Sequence, residues 1–185
     1  MFIANDFEKF CDNLEIPKSI KDTVSSRLKK IVRRINLEYW GNDSETTHYM
    51  VAGSYGRNTA IATSDIDVIV ELPWKEYFRF DEYTWNGQSA LLQDVKEKLR
   101  KTYPTSEISG DGQVVDIDFS NGIKFEVVPA FKYENGQYLY ADTNHGGSWK
   151  EMNPSQENLM FMYCNLNLIL VLLIFLYLIY QKVKR

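Results

Sequence analysis

Asp65 and Asp67 flank a single apolar residue, Ile66, and the run continues as Val68-Ile69-Val70. Residues two apart in a strand project to one face, so this spacing sets two carboxylates side by side while Ile66 and Val68 turn the other way. Adjacent carboxylates repel, and crowding them is costly unless a cation holds them together. Mg²⁺ takes carboxylate, phosphate and water oxygens, which makes a divalent metal the natural partner. Upstream, Gly53-Ser54 follows the short apolar stretch from His48 to Ala52. Gly53 lets backbone N–H groups come close to a ligand and Ser54 adds a hydroxyl, together a small anion cradle beside the acids. Either element alone reads more readily as an ordinary turn or as the decorated side of a strand. Their succession points to metal-assisted handling of a phosphate.

The elements that must position these residues follow from periodicity. Apolar residues recur at three or four from Phe7 to Ile35, interrupted by Pro17, which predicts a short helix and then a longer one ending near Gly41. Lys18, Lys21, Arg27, Lys29, Lys30, Arg33 and Arg34 decorate the longer helix. A solvated face is the commoner meaning of such a run, with a nucleic-acid footprint as the alternative. His48–Ala52 and Asp65–Leu72 read as strands, and Ser89–Lys101 as an amphipathic helix with Leu91, Leu92, Val95 and Leu99 on one stripe. Val114–Phe119 and Ile123–Val128 flank Asn121-Gly122, the signature of a tight hairpin. The expected fold is α+β, a mostly antiparallel, mixed sheet with helices covering one face.

The whole chain sets bounds on function. Its 185 residues suit one ordinary domain, and 44% hydrophobic with 25% charged residues is a globular composition. A net charge of −4 argues against stable binding of DNA or RNA through global charge. Cys11, Cys164, His48 and His145 form no zinc spacing, and the two cysteines fit a reducing compartment. The stretch Met1–Asp6 lacks the features of an export signal, so a cytoplasmic location is expected. Aromatics at 14% are read as core and receive no site role.

The stretch from Gly53-Ser54-Tyr55-Gly56-Arg57-Asn58-Thr59-Ala60-Ile61 through Ser64-Asp65-Ile66-Asp67-Val68 resembles the bacterial cGAS/DncV-like nucleotidyltransferases, themselves similar to oligoadenylate synthases and built on the polymerase-β-like fold. Val115–Phe119 and Phe125-Glu126-Val127-Val128-Pro129-Ala130-Phe131 are similar to that family's hairpin carrying a third acid. Asp142–Trp149 and Asn153-Pro154 also look like it. The resemblance implies two Mg²⁺ or Mn²⁺ ions, bridged by Asp65 and Asp67, with Glu126 on the ion that serves the acceptor and Gly53-Ser54 on the phosphates of ATP, GTP or another triphosphate. A two-residue Asn121-Gly122 loop would pair Ile117 with Glu126 and turn Asp116 and Asp118 to the opposite face. Only one set then faces Asp65 and Asp67. The resemblance selects Glu126.

Related enzymes continue after the Asn-Pro segment into a helical second lobe. In this sequence residues 1–154 read as the catalytic domain and 155–185 as a tail, in which Leu166–Tyr180 is apolar all round and Lys182-Val183-Lys184-Arg185 is basic. Three readings compete for an apolar C-terminal helix there: a truncated or frameshifted second lobe, a membrane anchor, and a helix covered by a protein partner. An anchor would add membrane association to the cytoplasmic location. The implied function is metal-dependent transfer of a nucleoside monophosphate to a ribose hydroxyl, making cyclic or linear oligonucleotide second messengers in antiphage defence. The alternatives are a minimal nucleotidyltransferase acting on a protein, RNA or antibiotic, and a catalytically silent nucleotide-binding remnant.

Overall fold

A computed structural model describes Asp6, Lys9 and residues 12–62, 64–156 and 160. By contacts the chain divides into two units, Met1–Met152 and Asn153–Arg185, and the fold described below is that of the first. The apolar run from Leu166 to Tyr180, and with it the expected C-terminal helix, lies outside the described residues. No helix among the described residues is long and apolar enough to cross a membrane.

Pro17 opens helix α1 (Lys18–Ile35) with φ −56°, a value that its ring enforces, and its carbonyl accepts from the N–H groups of Ile20 and Lys21. The three-and-four spacing buries Val24, Ile31, Val32 and Ile35 against the sheet. A π-helical turn (Asn36–Trp40) follows and ends at Gly41 in the left-handed region. The buried Asn36 amide donates to the carbonyls of Ser44 and Thr47, tying this turn to the loop that leads into the first strand.

Strands β1 (Tyr49–Val51) and β2 (Ile66–Glu71) flank the short helix α2 (Gly53–Gly56). Helices α3 (Trp74–Asp81) and α4 (Gly87–Arg100) come next, followed by β3 (Glu107–Asp111), β4 (Val114–Asp118), β5 (Lys124–Lys132), β6 (Tyr138–Asp142) and β7 (Ser148–Met152). Helix α4 starts two residues before the expected Ser89 because the Asn86 side chain caps it, accepting from Ser89 N–H at 2.8 Å. Gly87 permits close packing on α3, since a Cβ there would lie 2.0 Å from the Phe80 carbonyl oxygen.

The sheet runs β1-β2-β5-β4-β3, with β6 on β5 and β7 on β6. Only β2 and β5 are parallel, so the mixed, mostly antiparallel sheet agrees with the expectation. Pro129 has no N–H to give to a ladder, and it lies between the part of β5 that pairs β4 and the part that pairs β6. Ile66, Val68 and Val70 of β2 join Phe125, Val127 and Phe131 of β5 and Val115 and Ile117 of β4 in one core with residues of α1, α3 and α4. Alternation therefore sends Asp67, Ile69 and Glu71, with Glu126, Val128 and Ala130, to the other face.

The hairpin from β4 to β5 corrects one expectation. Its loop has three residues, not two: Phe119 N–H donates to Ile123 O, Gly122 N–H donates to Phe119 O, and Gly122 sits at φ +81°. Asn121-Gly122 thus forms the end of a turn closed by a left-handed glycine, which moves the register by one. Asp116, not Ile117, stands opposite Glu126, and Asp118 stands opposite Lys124. The acids of β4 and Glu126 share one face of the sheet, contrary to the two-residue reading.

Candidate active site

Because β2 and β5 are parallel neighbours with Asp67 aligned on Glu126, two of the acids singled out in the sequence stand side by side across the ladder. Asp65 is exposed and immediately precedes β2. Burial, and then the charges of Glu126 and Asp65, push the Asp67 carboxyl above its ordinary range, while the Arg57 charge pulls it back in part. Asp65 and Glu126 thus both act on Asp67 electrostatically. Parity no longer separates Glu126 from Asp116, but distance does, since Asp116 lies one strand further from Asp67. Neighbouring strands are about 4.8 Å apart, so only Glu126 is adjacent.

Gly53 closes the site on its other side. It has φ +57°, and a Cβ at this position would lie 1.7 Å from Asp67 Oδ2 and 2.7 Å from its Cγ. The backbone of the Gly-Ser turn therefore packs against the carboxylate itself, an approach open only to glycine. Ala52 N–H donates to Asp67 O at 2.9 Å, which fixes the turn to β2. From Gly53 the chain makes one helical turn, with Gly56 N–H bonded to Ala52 O and Thr59 N–H to Ser54 O. The first N–H groups of such a turn have no intrahelical partner, so those of Gly53 and Ser54 remain donors beside the acids.

Sequence reasoning left Lys124 out of the site. Its ammonium donates to Glu126 Oε1 at 2.8 Å and lies 3.2 Å from Asp116 Oδ1. Two acids and a lysine at alternate positions of a hairpin were the available signal, once the register was known. Both carboxylates raise the lysine's pKa. Among the described residues no three carboxylate, imidazole or thiol groups already converge as a closed metal site. The acids form an open row on the sheet. A groove of about 640 Å³ lies behind the motif, lined by Val24, Leu28, Val51, Tyr55 and Ile66, and none of these acids borders it.

A mixed sheet that sets Asp67 beside Glu126 and against a Gly-Ser turn is the arrangement of a nucleotidyltransferase domain. The chain belongs to the family of the Second Messenger Oligonucleotide or Dinucleotide Synthetase (SMODS) domain, which matches residues 1–165. Among solved structures it is similar to the Bradyrhizobium diazoefficiens CD-NTase CdnG in complex with GTP, at 14% identity and TM-score 0.60 over 79% of this chain and 42% of that one. It is also similar to E. coli MS115-1 CdnC with ATP, at 18% identity and TM-score 0.52 over 80% of this chain and 46% of that one. Elizabethkingia meningoseptica CdnE, a cyclic dinucleotide synthase with GTP and Apcpp, matches at 18% identity and TM-score 0.50 over 72% and 49% of the two chains. At these identities the likeness is one of fold, and the chain spans less than half the length of each. No curated protein matches it.

Proposed function

We propose that this domain transfers a nucleoside monophosphate from a nucleoside triphosphate to a ribose hydroxyl, yielding linear or cyclic oligonucleotide second messengers. The observation that carries the reading is the alignment of Asp67 with Glu126 across the parallel pair, with the backbone of Gly53 against the Asp67 carboxylate. Family membership supports the product class. The donor set fits divalent ions, because the charges of Glu126 and Asp65 push the Asp67 carboxyl up, a cation relieves that repulsion, and Asp, Glu and phosphate oxygens are what Mg²⁺ and Mn²⁺ accept. Two such ions, when bound, supply neutralisation of the triphosphate and a lower pKa for the acceptor hydroxyl.

Asp65 and Asp67 would hold the ions, and Glu126 would add a ligand on the acceptor side. Gly53 admits the phosphates to the backbone N–H groups, and the Ser54 hydroxyl donates to a phosphate oxygen. The acceptor hydroxyl gives up its proton to solvent as its oxygen bonds to the α-phosphorus, the bond from that phosphorus to the oxygen bridging to the β-phosphorus breaks, and pyrophosphate leaves with the bonding pair. Antiphage signalling is the setting in which we place the product, on the resemblance to cGAS/DncV-like enzymes.

Incubation with labelled ATP, GTP, CTP and UTP plus Mg²⁺ or Mn²⁺, beside an Asp65→Asn/Asp67→Asn variant, tests the reading by chromatography of phosphatase-resistant products. Oligonucleotide formed only by the unsubstituted protein is the expected result. Absence of product from every nucleotide combination, with nucleotide binding intact, would sink the transfer activity.

A further inference from the structure

Lys124 lies two residues before Glu126 on β5, so the two side chains share the open face of the sheet. Asp116 stands opposite Glu126 on β4, and Asp118 opposite Lys124. The ammonium bonds Glu126 Oε1 at 2.8 Å and reaches Asp116 Oδ1 at 3.2 Å, with the three side chains 29%, 29% and 24% exposed. Asp116 Oδ1 is itself buried, and the ammonium at 3.2 Å is a looser partner to it than to Glu126 Oε1. Half-buried pairs of this kind are screened less than surface ones.

Glu126 is thus held by a cation that belongs to the chain, and a second carboxylate stands ready beside it. A lysine ammonium and a divalent ion compete for a carboxylate because both draw on the same negative charge. Moving the ammonium wholly to Asp116 needs only a turn of its flexible stem. On the reading of Asp65, Asp67 and Glu126 as metal ligands, we propose that Lys124 is an internal competitor of the divalent cation for Glu126, and that Asp116 receives the ammonium when Glu126 is given up. The pair raises the metal concentration at which the site fills. Lys124 and Asp116 are positioning residues, acting through Glu126.

The test is a nucleotide-free titration of the full chain with Mn²⁺, read by the loss of the free-ion electron paramagnetic resonance signal. Lys124→Met should bind Mn²⁺ about tenfold more tightly than the unsubstituted protein, the order of effect of one partly desolvated ion pair. Lys124→Arg keeps the charge and should not tighten binding. Lys132→Met removes the same charge from the same face, but from an ammonium that pairs with Glu71, and should change the affinity by less than about twofold. Asp116→Asn should weaken binding in the unsubstituted background and leave it unchanged with Lys124→Met, because its effect passes through the lysine. Thermal unfolding of each variant guards against loss of fold.

Equal or weaker binding by a folded Lys124→Met protein overturns the proposal. So does an equal loss from Asp116→Asn in both backgrounds, which would make Asp116 a plain local charge. A site abolished by Asp65→Asn/Asp67→Asn yet indifferent to Lys124 overturns the proposal and leaves the metal reading standing. No site sensitive to that double substitution, with or without Lys124, overturns both.

Discussion

Gly53→Ala separates the cost to the fold from the cost to the site. At φ +57° an alanine pays the left-handed penalty of about 1–2 kcal/mol, partly offset by the smaller entropy of its unfolded chain. Its Cβ would also meet Asp67 Oδ2 at 1.7 Å, Cγ at 2.7 Å and Cβ at 3.2 Å. The first two atoms end a side chain that can rotate away, at about 1 kcal/mol for leaving its rotamer. A total loss of about 2 kcal/mol follows, readable as a lower urea midpoint at unchanged slope. The larger consequence is functional, because rotation removes the Asp67 carboxylate from its place beside Glu126, so Mn²⁺ affinity should fall at least about tenfold. Gly41→Ala is the control: it has φ +69° with nothing within 4 Å, and should cost stability alone. A Gly53→Ala protein that binds Mn²⁺ as tightly as the Gly41→Ala protein would refute the packing argument.

Asp67→Asn should stabilise the metal-free protein. The folded state raises the Asp67 carboxyl, so its contribution favours folding at low pH and is lost as pH rises through the raised value. In chelator at neutral pH the variant should gain about 1 kcal/mol or less, the scale of part-exposed charges, and the gain should vanish toward about pH 4 in thermal unfolding. Leu92→Ala, at a fully buried position of α4, should cost about 2–5 kcal/mol by denaturant titration. Asn86→Ala removes the side-chain cap from the same helix and should cost about 1 kcal/mol in the same assay.

The strand that carries Asp67 was legible because its signal is local, an alternation from Ile66 onward with a turn ahead of it, but it begins at Ile66, so Asp65 stands just before the strand and not in it. The long helix α1 and the amphipathic α4 were legible for the same reason, since each buries a stripe at helical spacing. The hairpin register was not, because Asn-Gly serves both a two-residue turn and the end of a three-residue one, and one residue of slip exchanges the faces. That slip decides whether Asp116 and Lys124 belong beside Glu126. Strand β6 gave no alternation to read, as Tyr138, Leu139, Ala141 and Asp142 are buried on both faces. In β3 only Ile108 is buried, so its pairing with β4 supplies what its own sequence does not. Helix α3 is eight residues long and leaves Phe78 60% exposed, too short and too mixed a pattern to mark itself as a helix.

Anomalous diffraction at the manganese edge, from crystals of this chain soaked with Mn²⁺ and a non-hydrolysable nucleoside triphosphate, tests the site most directly. The account predicts manganese at about 2.1 Å from carboxylate oxygens of Asp65 and Asp67, with Glu126 as a further ligand and the phosphates against Gly53 and Ser54. Manganese bound away from Asp65 and Asp67, or phosphates seated elsewhere than on the Gly-Ser turn, would contradict it.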